Sequence, residues 1–150
     1  AASNDKTAKV YDVATGELLL TLAGHEWAVR AADFSADGNW IITGSDDNMA
    51  IVWDAATGER RQTLAGHTGA ITSVALSADG GRAITGSEDN GVKLWDAATG
   101  KELLTLAGHG EEVTAVSFSP DGSQILTSGR DGRTLLWPTT SWSEAMPSKP

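Results

Sequence analysis

The sequence predicts an all-β protein made of repeated units of four short strands. The first observation is a period of 42 residues, which separates three copies of TLAGH at residues 21–25, 63–67 and 105–109. The second is that runs rich in Val, Ile, Leu and Thr alternate with clusters of turn residues, a pattern typical of consecutive antiparallel strands. The third is that no stretch shows the apolar stripe of an amphipathic helix.

The middle unit shows the elements most clearly, and we expect four strands in it with tight turns between them. The predicted strands are Ile71–Leu76, Arg82–Thr85, Val92–Trp95 and Leu103–Leu106, and the predicted turns are Ser77–Gly80, Ser87–Asn90 and Ala97–Gly100. The last turn ends in a Thr-Gly pair that recurs at Thr15-Gly16 and Thr57-Gly58. We expect this glycine to adopt a positive φ rather than to cradle a phosphate, because neither a helix nor a P-loop lysine follows it.

The composition is that of one folded domain that does not bind polyanions. The chain has 150 residues, of which 40% are hydrophobic and 21% charged, enough to bury a core. Its formal charge of −9 argues against nucleic acid or an anionic membrane as a partner, because both need clustered Lys and Arg. No apolar run is long enough to cross a bilayer. We therefore expect a protein or peptide partner, and a basic one is favoured.

Cysteine is absent from the sequence. Its absence excludes disulfides, thiolate metal sites and a cysteine nucleophile. It also fits a reducing compartment, so we expect a cytoplasmic location.

Each unit carries Gly-His near its start and a tryptophan near its end, and together with the period these features resemble the WD40 family of β-propellers. Trp53-Asp54 and Trp95-Asp96 match the family's Trp-Asp motif, whereas Tyr11-Asp12 and Trp137-Pro138 depart from it. The resemblance covers residues 1–138. It implies blades that are four-stranded antiparallel sheets.

The resemblance also implies a structural role for the histidines. In WD40 blades the Gly-His histidine hydrogen-bonds with an Asp of a tight turn, a Ser or Thr of the second strand and the Trp of the third. Such a network lets every buried polar atom find a partner. The corresponding sets here are His25, Thr43, Asp47 and Trp53; His67, Thr85, Asp89 and Trp95; and His109, Thr127, Asp131 and Trp137.

Two sharper interpretations of the histidines are less well supported. A hydroxyl, an imidazole and a carboxylate also make a hydrolase triad, but a nucleophile needs an oxyanion hole and an open face, and three equivalent copies suggest neither. Metal binding is disfavoured because the three histidines fall on different blades. The acidic turn Asp46-Asp47-Asn48 lacks the ligand spacing of a calcium loop. We therefore expect no catalytic residue, no metal and no cofactor.

The period divides the chain into blades. The predicted divisions are a partial blade of two outer strands at 1–22, blades at 23–64 and 65–106, an incomplete last blade at 107–138 and a C-terminal tail at 139–150. The last blade is predicted to lack its outer strand, because AMPSKP at 145–150 contains two prolines. Proline has no backbone N–H to donate to the hydrogen bonds of a regular β-ladder. The predicted fold is thus an open arc of about three and a half blades.

Three inner strands cannot close a ring, since propellers typically carry about four to eight blades. We therefore expect the arc to be part of a larger closed ring. In one hypothesis the chain is the C-terminal portion of a larger propeller, whose missing half comes from an N-terminal segment or another chain. The start of the sequence, without Met and within a motif, favours this hypothesis. In the other, two copies of the chain close a six-bladed ring.

The predicted function is a non-catalytic protein-interaction scaffold, as the family resemblance implies. Residues that break the repeat beside the histidine loops mark the predicted binding face. They are Trp27, Arg30, Asp46, Glu88, Glu111, Glu112 and Arg130. Trp27 is either an interface anchor or packed on a neighbouring loop. The charges form either a mostly acidic rim for a basic partner or an ordinary solvated surface.

Three alternative functions stay open from the sequence. One is a regulatory or sensor module of a larger signalling protein. Another is a recently amplified or engineered set of repeats that self-assembles, which the close likeness of the units permits. A catalytic or sugar-binding propeller is the least supported, because a channel cluster of polar residues would be needed and only Arg30 suggests one.

Overall fold

The structure is a computed structural model and describes residues 1–139 of the chain. Those residues form thirteen strands and no helix, so the predicted all-β class is confirmed. No helix that is long and apolar enough to cross a membrane occurs among them. The predicted tail, including AMPSKP, lies outside the described residues except for Thr139.

The strands form four antiparallel sheets that follow one another along the chain. The partial blade contains β1 (Thr7–Tyr11) and β2 (Leu18–Ala23). The first full blade contains β3 (Val29–Phe34), β4 (Trp40–Ser45), β5 (Met49–Asp54) and β6 (Arg60–Ala65). The second full blade contains β7 (Ile71–Leu76), β8 (Arg82–Ser87), β9 (Val92–Asp96) and β10 (Glu102–Leu106). The last blade contains β11 (Val113–Phe118), β12 (Gln124–Gly129) and β13 (Thr134–Pro138).

Strand order within each full blade follows chain order, as expected for an arc of propeller blades. The prediction for the middle unit is confirmed for β7, while β8, β9 and β10 are one or two residues longer than predicted. The pairing Ile71↔Ser87 extends β8 into the predicted turn Ser87–Asn90, and the pairing Arg82↔Asp96 extends β9 by one residue beyond Trp95. Thr139 continues the last blade, because its N–H donates to the Ser123 carbonyl at 2.8 Å.

The core lies between successive blades, where their apolar faces pack together. Ile42 and Val52 of the first full blade are buried in one cluster with Ile71 and Val74 of the second. A second cluster joins the second full blade to the last blade through Leu94, Val113, Val116 and their neighbours. In β4, β5 and β8 nearly every position is buried, because successive side chains point to opposite faces and each face contacts a neighbouring blade.

Two glycines allow this close approach of blades. A Cβ built on Gly44 would lie 2.4 Å from Ile71 Cγ2, and one on Gly86 would lie 2.6 Å from Val113 Cγ1. Any side chain at these positions would push the next blade away. Both glycines occupy the same place in the repeat, and the contact between blades thus needs glycine there.

Tight turns between strands use left-handed backbone conformations at fixed places in the repeat. The turns before the outer strands have φ values of 73°, 75° and 72° at Gly16, Gly58 and Gly100, as predicted. Asn48 and Asn90 adopt φ values of 68° and 70° in the turns between the second and third strands. Asparagine tolerates this region better than other residues with a Cβ, so the sequence suits the turn.

Candidate functional site

The loops that carry the predicted functional residues lie together in pairs at one end of the blades. In each blade the loop after the Gly-His histidine is joined by a backbone hydrogen bond to the turn between the second and third strands. The bonds run from Asp46 N to Ala28 O at 3.0 Å, from Glu88 N to Ala70 O at 3.0 Å and from Arg130 N to Glu112 O at 2.8 Å. Each of these three blades therefore presents a pair of joined loops at this end.

Beneath these loops the structure brings each histidine together with its expected partners. In the second full blade, His67 Nδ1 lies 2.8 Å from Asp89 Oδ2 and His67 Nε2 lies 2.7 Å from Thr85 Oγ1. Trp95 Nε1 donates to the same Thr85 oxygen at 2.9 Å. We call such a group of four side chains a quartet.

The other two quartets have the same connectivity. In the first full blade the three distances are 2.8 Å for His25 to Asp47, 2.8 Å for His25 to Thr43 and 2.9 Å for Trp53 to Thr43. In the last blade His109 Nε2 lies 2.9 Å from Thr127, and Trp137 donates to Thr127 at 3.0 Å. All twelve residues that the sequence assigns to the sets therefore meet in three quartets.

The hydrogen-bonding capacity of each side chain sets the direction of these bonds. The indole N–H of Trp95 is a donor only, so the Thr85 oxygen accepts from it. The Thr85 hydroxyl proton is then directed to His67 Nε2, which leaves the proton of the neutral imidazole on Nδ1, facing Asp89. Each polar side-chain atom of this quartet has a partner, which is the condition for burying it without a large penalty.

The aspartates also hold the loop backbone. The carboxylate of Asp47 accepts from the N–H of Glu26 at 2.9 Å, and the equivalent bonds run from Thr68 to Asp89 and from Gly110 to Asp131, also at 2.9 Å. The Gly110 N–H is the largest cause that lowers the pKa of Asp131 to about 2. The sequence analysis did not predict these backbone donors, because nearly every residue type has a main-chain N–H group and the residue type therefore does not identify the donor.

Burial acts on the imidazole of the second quartet. The His67 side chain is fully covered, and this burial lowers the pKa of His67 despite the nearby Asp89 carboxylate. For Asp89, burial favours the neutral carboxyl, but the Thr68 and Gly91 N–H groups and His67 outweigh it and lower the pKa. The neutral imidazole and the ionised carboxylate are therefore the forms that the folded protein favours.

The quartet of the last blade is looser than the others. His109 Nδ1 lies 3.2 Å from both carboxylate oxygens of Asp131, instead of 2.8 Å from one. Gly129 stands where the other blades have Ser45 and Ser87, and a Cβ at Gly129 would lie 2.6 Å from His109 Nδ1. The missing side chain thus leaves room for the different position of this imidazole.

The buried hydroxyls are poorly placed for covalent catalysis. Thr43 and Thr85 are 0% exposed and Thr127 is 1% exposed. Each of their oxygens is engaged by both an imidazole and an indole, so a substrate carbonyl has no route to it. Among residues 1–139, no group of three or more His, Cys, Asp or Glu side chains is arranged to hold a metal ion.

Trp27 stands out on the surface above the first quartet. Its side chain lies in a loop of the first full blade and is 61% exposed. The backbone beneath it is fixed, because the Ser45 hydroxyl donates to the Trp27 carbonyl at 3.2 Å. Gly69 has the same bond from Ser87 in the second full blade, at 2.9 Å. The indole is thus presented to solvent on an ordered loop.

The predicted charged residues are largely paired with one another. Arg30 forms ion pairs with Asp46 of its own blade and with Glu88 of the next, the latter at 3.4 Å. The Asp46 carboxylate is the largest cause that raises the pKa of Arg30. Arg130 pairs with Glu112 at 2.8 Å in the last blade. We call the seven residues of this surface the rim: Trp27, Arg30, Asp46, Glu88, Glu111, Glu112 and Arg130.

Arg30 reaches its carboxylates from a β-bulge. The pairing of β3 with β4 shifts register between Val29 and Ala31, so Arg30 is the extra residue. The same bulge occurs at Thr72 and Thr114, whose hydroxyls donate to backbone carbonyls of the neighbouring strand at 3.1 and 3.2 Å. Thr72 Oγ1 also contacts the Val113 carbonyl of the next blade. Arg30 has no hydroxyl, and its guanidinium bridges two blades through the Asp46 and Glu88 carboxylates.

Comparisons with known proteins agree with this geometry. The family model described as "WD domain, G-beta repeat" (WD40) matches residues 16–54, 58–96 and 100–138. The chain is also 46% identical over 43 residues to the "Serine-threonine kinase receptor-associated protein" of Gallus gallus, Bos taurus and Homo sapiens. That match spans 29% of this chain and 12% of the length of these curated relatives. The repeats matched by the family model cover most of the chain, which therefore belongs to the WD40 family.

Proposed function

We propose that this protein is a non-catalytic scaffold that holds a basic peptide or protein segment on the rim. WD40 repeats support protein interaction in general, and the residues of the rim differ among the repeats of this chain. The observation that carries the proposal is the exposure of Trp27 at 61% on a loop fixed by Ser45. Exposed aromatic side chains on ordered loops are typical anchors of protein interfaces.

The charge of the rim favours a basic partner. Four of its residues are acidic and two are basic, and Arg30 and Arg130 are already engaged by carboxylates. Glu111 is exposed beside the Glu112–Arg130 pair and leaves an acidic side chain available to a ligand. An excess of acidic groups around an aromatic anchor attracts Lys or Arg side chains and repels acidic segments.

In this proposal the quartets and the rim have different roles. The quartets hold the loops, and the rim binds the partner. We also propose the blade divisions 1–22, 23–64, 65–106 and 107–138 with a tail from 139, and a cytoplasmic location that suits a cysteine-free chain. Nucleic acid and membranes are not proposed as partners, because the chain carries a formal charge of −9.

A fluorescence titration with two matched peptides tests the proposal. The probe is a labelled peptide of alternating Lys and Leu, and the control is the same peptide with Glu for Lys. We expect only the Lys peptide to bind, with an affinity that falls as salt increases. Trp27→Ala should weaken binding by about tenfold or more, and Trp27→Tyr should recover most of it.

The outcomes separate binding from folding. Both variants should unfold at the same urea concentration as the parent, because the Trp27 side chain is mostly exposed. Equal binding of the Lys and Glu peptides would reject the basic partner. Unchanged binding by Trp27→Ala would reject the rim as the binding surface.

A regulatory module of a larger signalling protein is a second candidate function. One observation favours it, namely the 46% identity over 43 residues to a receptor-associated protein. Physically this role needs the same rim, with a partner from a signalling pathway. If the rim binds receptor-derived basic segments and not the Lys-Leu peptide, the second candidate is favoured over a general scaffold.

A further inference from the structure

The contact between successive blades follows one rule that the chain uses twice. Ile42 and Val52 form the leading face of the first full blade, which packs on the trailing face of the second at Ile71 and Val74. The next contact repeats this one with every residue 42 positions later, from Ile84 and Leu94 to Val113 and Val116. Each blade therefore has a leading face and a trailing face of known composition.

The leading face of the last blade is uncovered among the described residues. Leu126 and Leu136 occupy the places of Ile84 and Leu94, but they are 44% and 56% exposed, whereas Ile84 and Leu94 are 0% and 1% exposed. Because the next blade covers Ile84 and Leu94, the exposure of Leu126 and Leu136 marks a sheet face that a further blade would cover.

The trailing face of the first full blade is also partly open. The partial blade covers it with two strands, where a full blade has four. A cavity of about 510 Å³ remains there, and its lining includes Ala8, Leu22, Ala32, Phe34 and Ile41. Phe34 is 50% exposed, while its counterpart Leu76 in the second full blade is 6% exposed. The missing inner part of a blade would fill this space.

The two open faces complement each other in residue size. Where a leading face has Gly44, the trailing face opposite has the larger Ile71 and Val74, at 2.4 and 2.8 Å from a built Cβ. The leading face of the last blade has Ser128 in that place. The trailing face of the first full blade has Val29 and Ala32 where the second has Ile71 and Val74. Ser128 is larger than the glycine of the other blades, and in a contact between these two faces it would lie against Val29 and Ala32, which are smaller than Ile71 and Val74.

Strand β2 suits the last blade as its outer strand. It begins Leu18-Leu19-Leu20, where β6 has Arg60-Arg61-Gln62, and Leu18 and Leu19 are 50% and 55% exposed. Repeating the β9–β10 register on β13 would set Leu22, Leu20 and Leu18 opposite Thr134, Leu136 and Trp137. Trp137 is only half-buried, whereas Trp95, which pairs with Glu102 of its outer strand, is 1% exposed.

From these relationships we propose that two copies of this chain close into one ring of six four-stranded blades. The last blade of each copy packs its leading face on the first full blade of the other, and β13 pairs with the partner's β2. Each copy supplies three blades, so two copies give six, which is within the usual range of about four to eight. Such head-to-tail contacts close when the rotation fits.

Residues 1–12 act as an internal competitor in this assembly. They correspond to residues 127–138 three periods of 42 residues later, and they occupy part of the site that those residues of the partner would take. Ser3 already accepts a hydrogen bond from Val29 N at 3.0 Å, and β1 holds β2 through pairs such as Val10↔Leu20. The dimer forms when β1 is displaced from β2, so its formation depends on protein concentration.

Cysteine cross-linking tests the register directly, because the chain has no cysteine of its own. An equal mixture of Leu20→Cys and Leu136→Cys chains should give, on oxidation, a covalent species of twice 15.6 kDa. In the control chain Val10→Cys with Leu20→Cys, oxidation should lock β1 on β2 and leave only monomer. Reduction of that control should restore the dimer, which shows that the variant still folds.

Native mass measurements on the unmodified chain and on Ser128 variants complete the test. Ser128→Trp should raise the dimer dissociation constant by tenfold or more, whereas Ser128→Gly, which restores the residue of the other blades, should change it less than threefold. A monomer at every concentration, a closed species of three copies, or a dimer without the Leu20–Leu136 cross-link would each overturn the proposal. None of these results bears on the rim, so the proposed binding function is tested separately.

Discussion

His67 and Asp89 lie 22 positions apart in the sequence, yet their Nδ1 and Oδ2 atoms are 2.8 Å apart. The contact fastens the loop before β7 to the turn after β8. Through Thr85 the same imidazole is linked to Trp95 on β9. One chain of side chains thus connects a surface loop with the second and third strands of its blade, and it holds in place the surface on which the rim lies.

Removing the aspartate of the second quartet should lower the free energy of unfolding more than removing the aspartate of the looser last quartet. In Asp89→Ala, the His67 ring N–H and the backbone N–H groups of Thr68 and Gly91 lose their acceptor. We expect a loss of about 2–4 kcal/mol in the free energy of unfolding, measured in urea. Asp131→Ala should lose less, because His109 lies 3.2 Å from that carboxylate. Equal losses would contradict a difference in strength between the quartets.

Acid should destabilise the fold in two separate ranges of pH. The pKa of His67 is lowered in the folded state, so below about 6.5 the unfolded chain binds a proton first and stability falls. The pKa of Asp131 is lowered from 3.8 to about 2, so its contribution is present above 3.8 and is lost as the pH falls towards 2. Urea unfolding as a function of pH measures both ranges, and NMR titration of His67 locates the first. A stability that stays constant from pH 7 to pH 5 would contradict the burial of a neutral His67.

A methyl group between blades should be strongly destabilising. Gly44→Ala would place a Cβ at 2.4 Å from Ile71 Cγ2, and the blades would have to separate. We expect this overpacking to lower the free energy of unfolding by about 1–3 kcal/mol. Gly86→Ala should give a similar result. Gly110→Ala is the control, because nothing lies within 4 Å of its built Cβ. Thermal unfolding of the three variants measures the effect. A melting temperature of Gly44→Ala equal to that of the parent would show that the blades are not in close contact.

Arg30→Thr should increase the affinity of the rim for a basic peptide. The change introduces the residue that Thr72 and Thr114 provide at the same bulge, and the threonine hydroxyl there donates to a backbone carbonyl. We therefore expect stability to change by less than about 0.5 kcal/mol. Loss of the Arg30 charge leaves Asp46 and Glu88 available to the ligand. Binding of the Lys-Leu peptide by fluorescence titration measures the effect, and weaker binding would show that Arg30 itself contacts the ligand.

The sequence predicted best those structural features that are determined by the residues of a single repeat. Strand positions and the positive φ of Gly16, Gly58 and Gly100 follow from a local pattern that three units repeat in phase, and the residues that meet in the quartets follow from the resemblance to WD40 blades. Repetition strengthened each of these predictions, because a chance match in one unit would not recur in the others.

Features that depend on backbone atoms or on neighbouring blades were not predictable. The need for glycine at 44 and 86 arises only when the next blade is in place. The backbone donors at Glu26, Thr68 and Gly110 are invisible in residue types. The rim was identified from charges that differ among units, but the bulge that directs Arg30 towards Glu88 is a property of strand pairing.

The double-mutant cycle between Thr85 and Trp95 tests the central claim most directly, namely that the quartets act as cooperative internal braces of the blades. The free energy of unfolding is measured for the parent, Thr85→Val, Trp95→Phe and the double variant. Since the two side chains share a buried hydrogen bond of 2.9 Å, we expect a coupling energy of about 1 kcal/mol or more. A coupling energy of zero, with the two losses simply additive, would contradict the account.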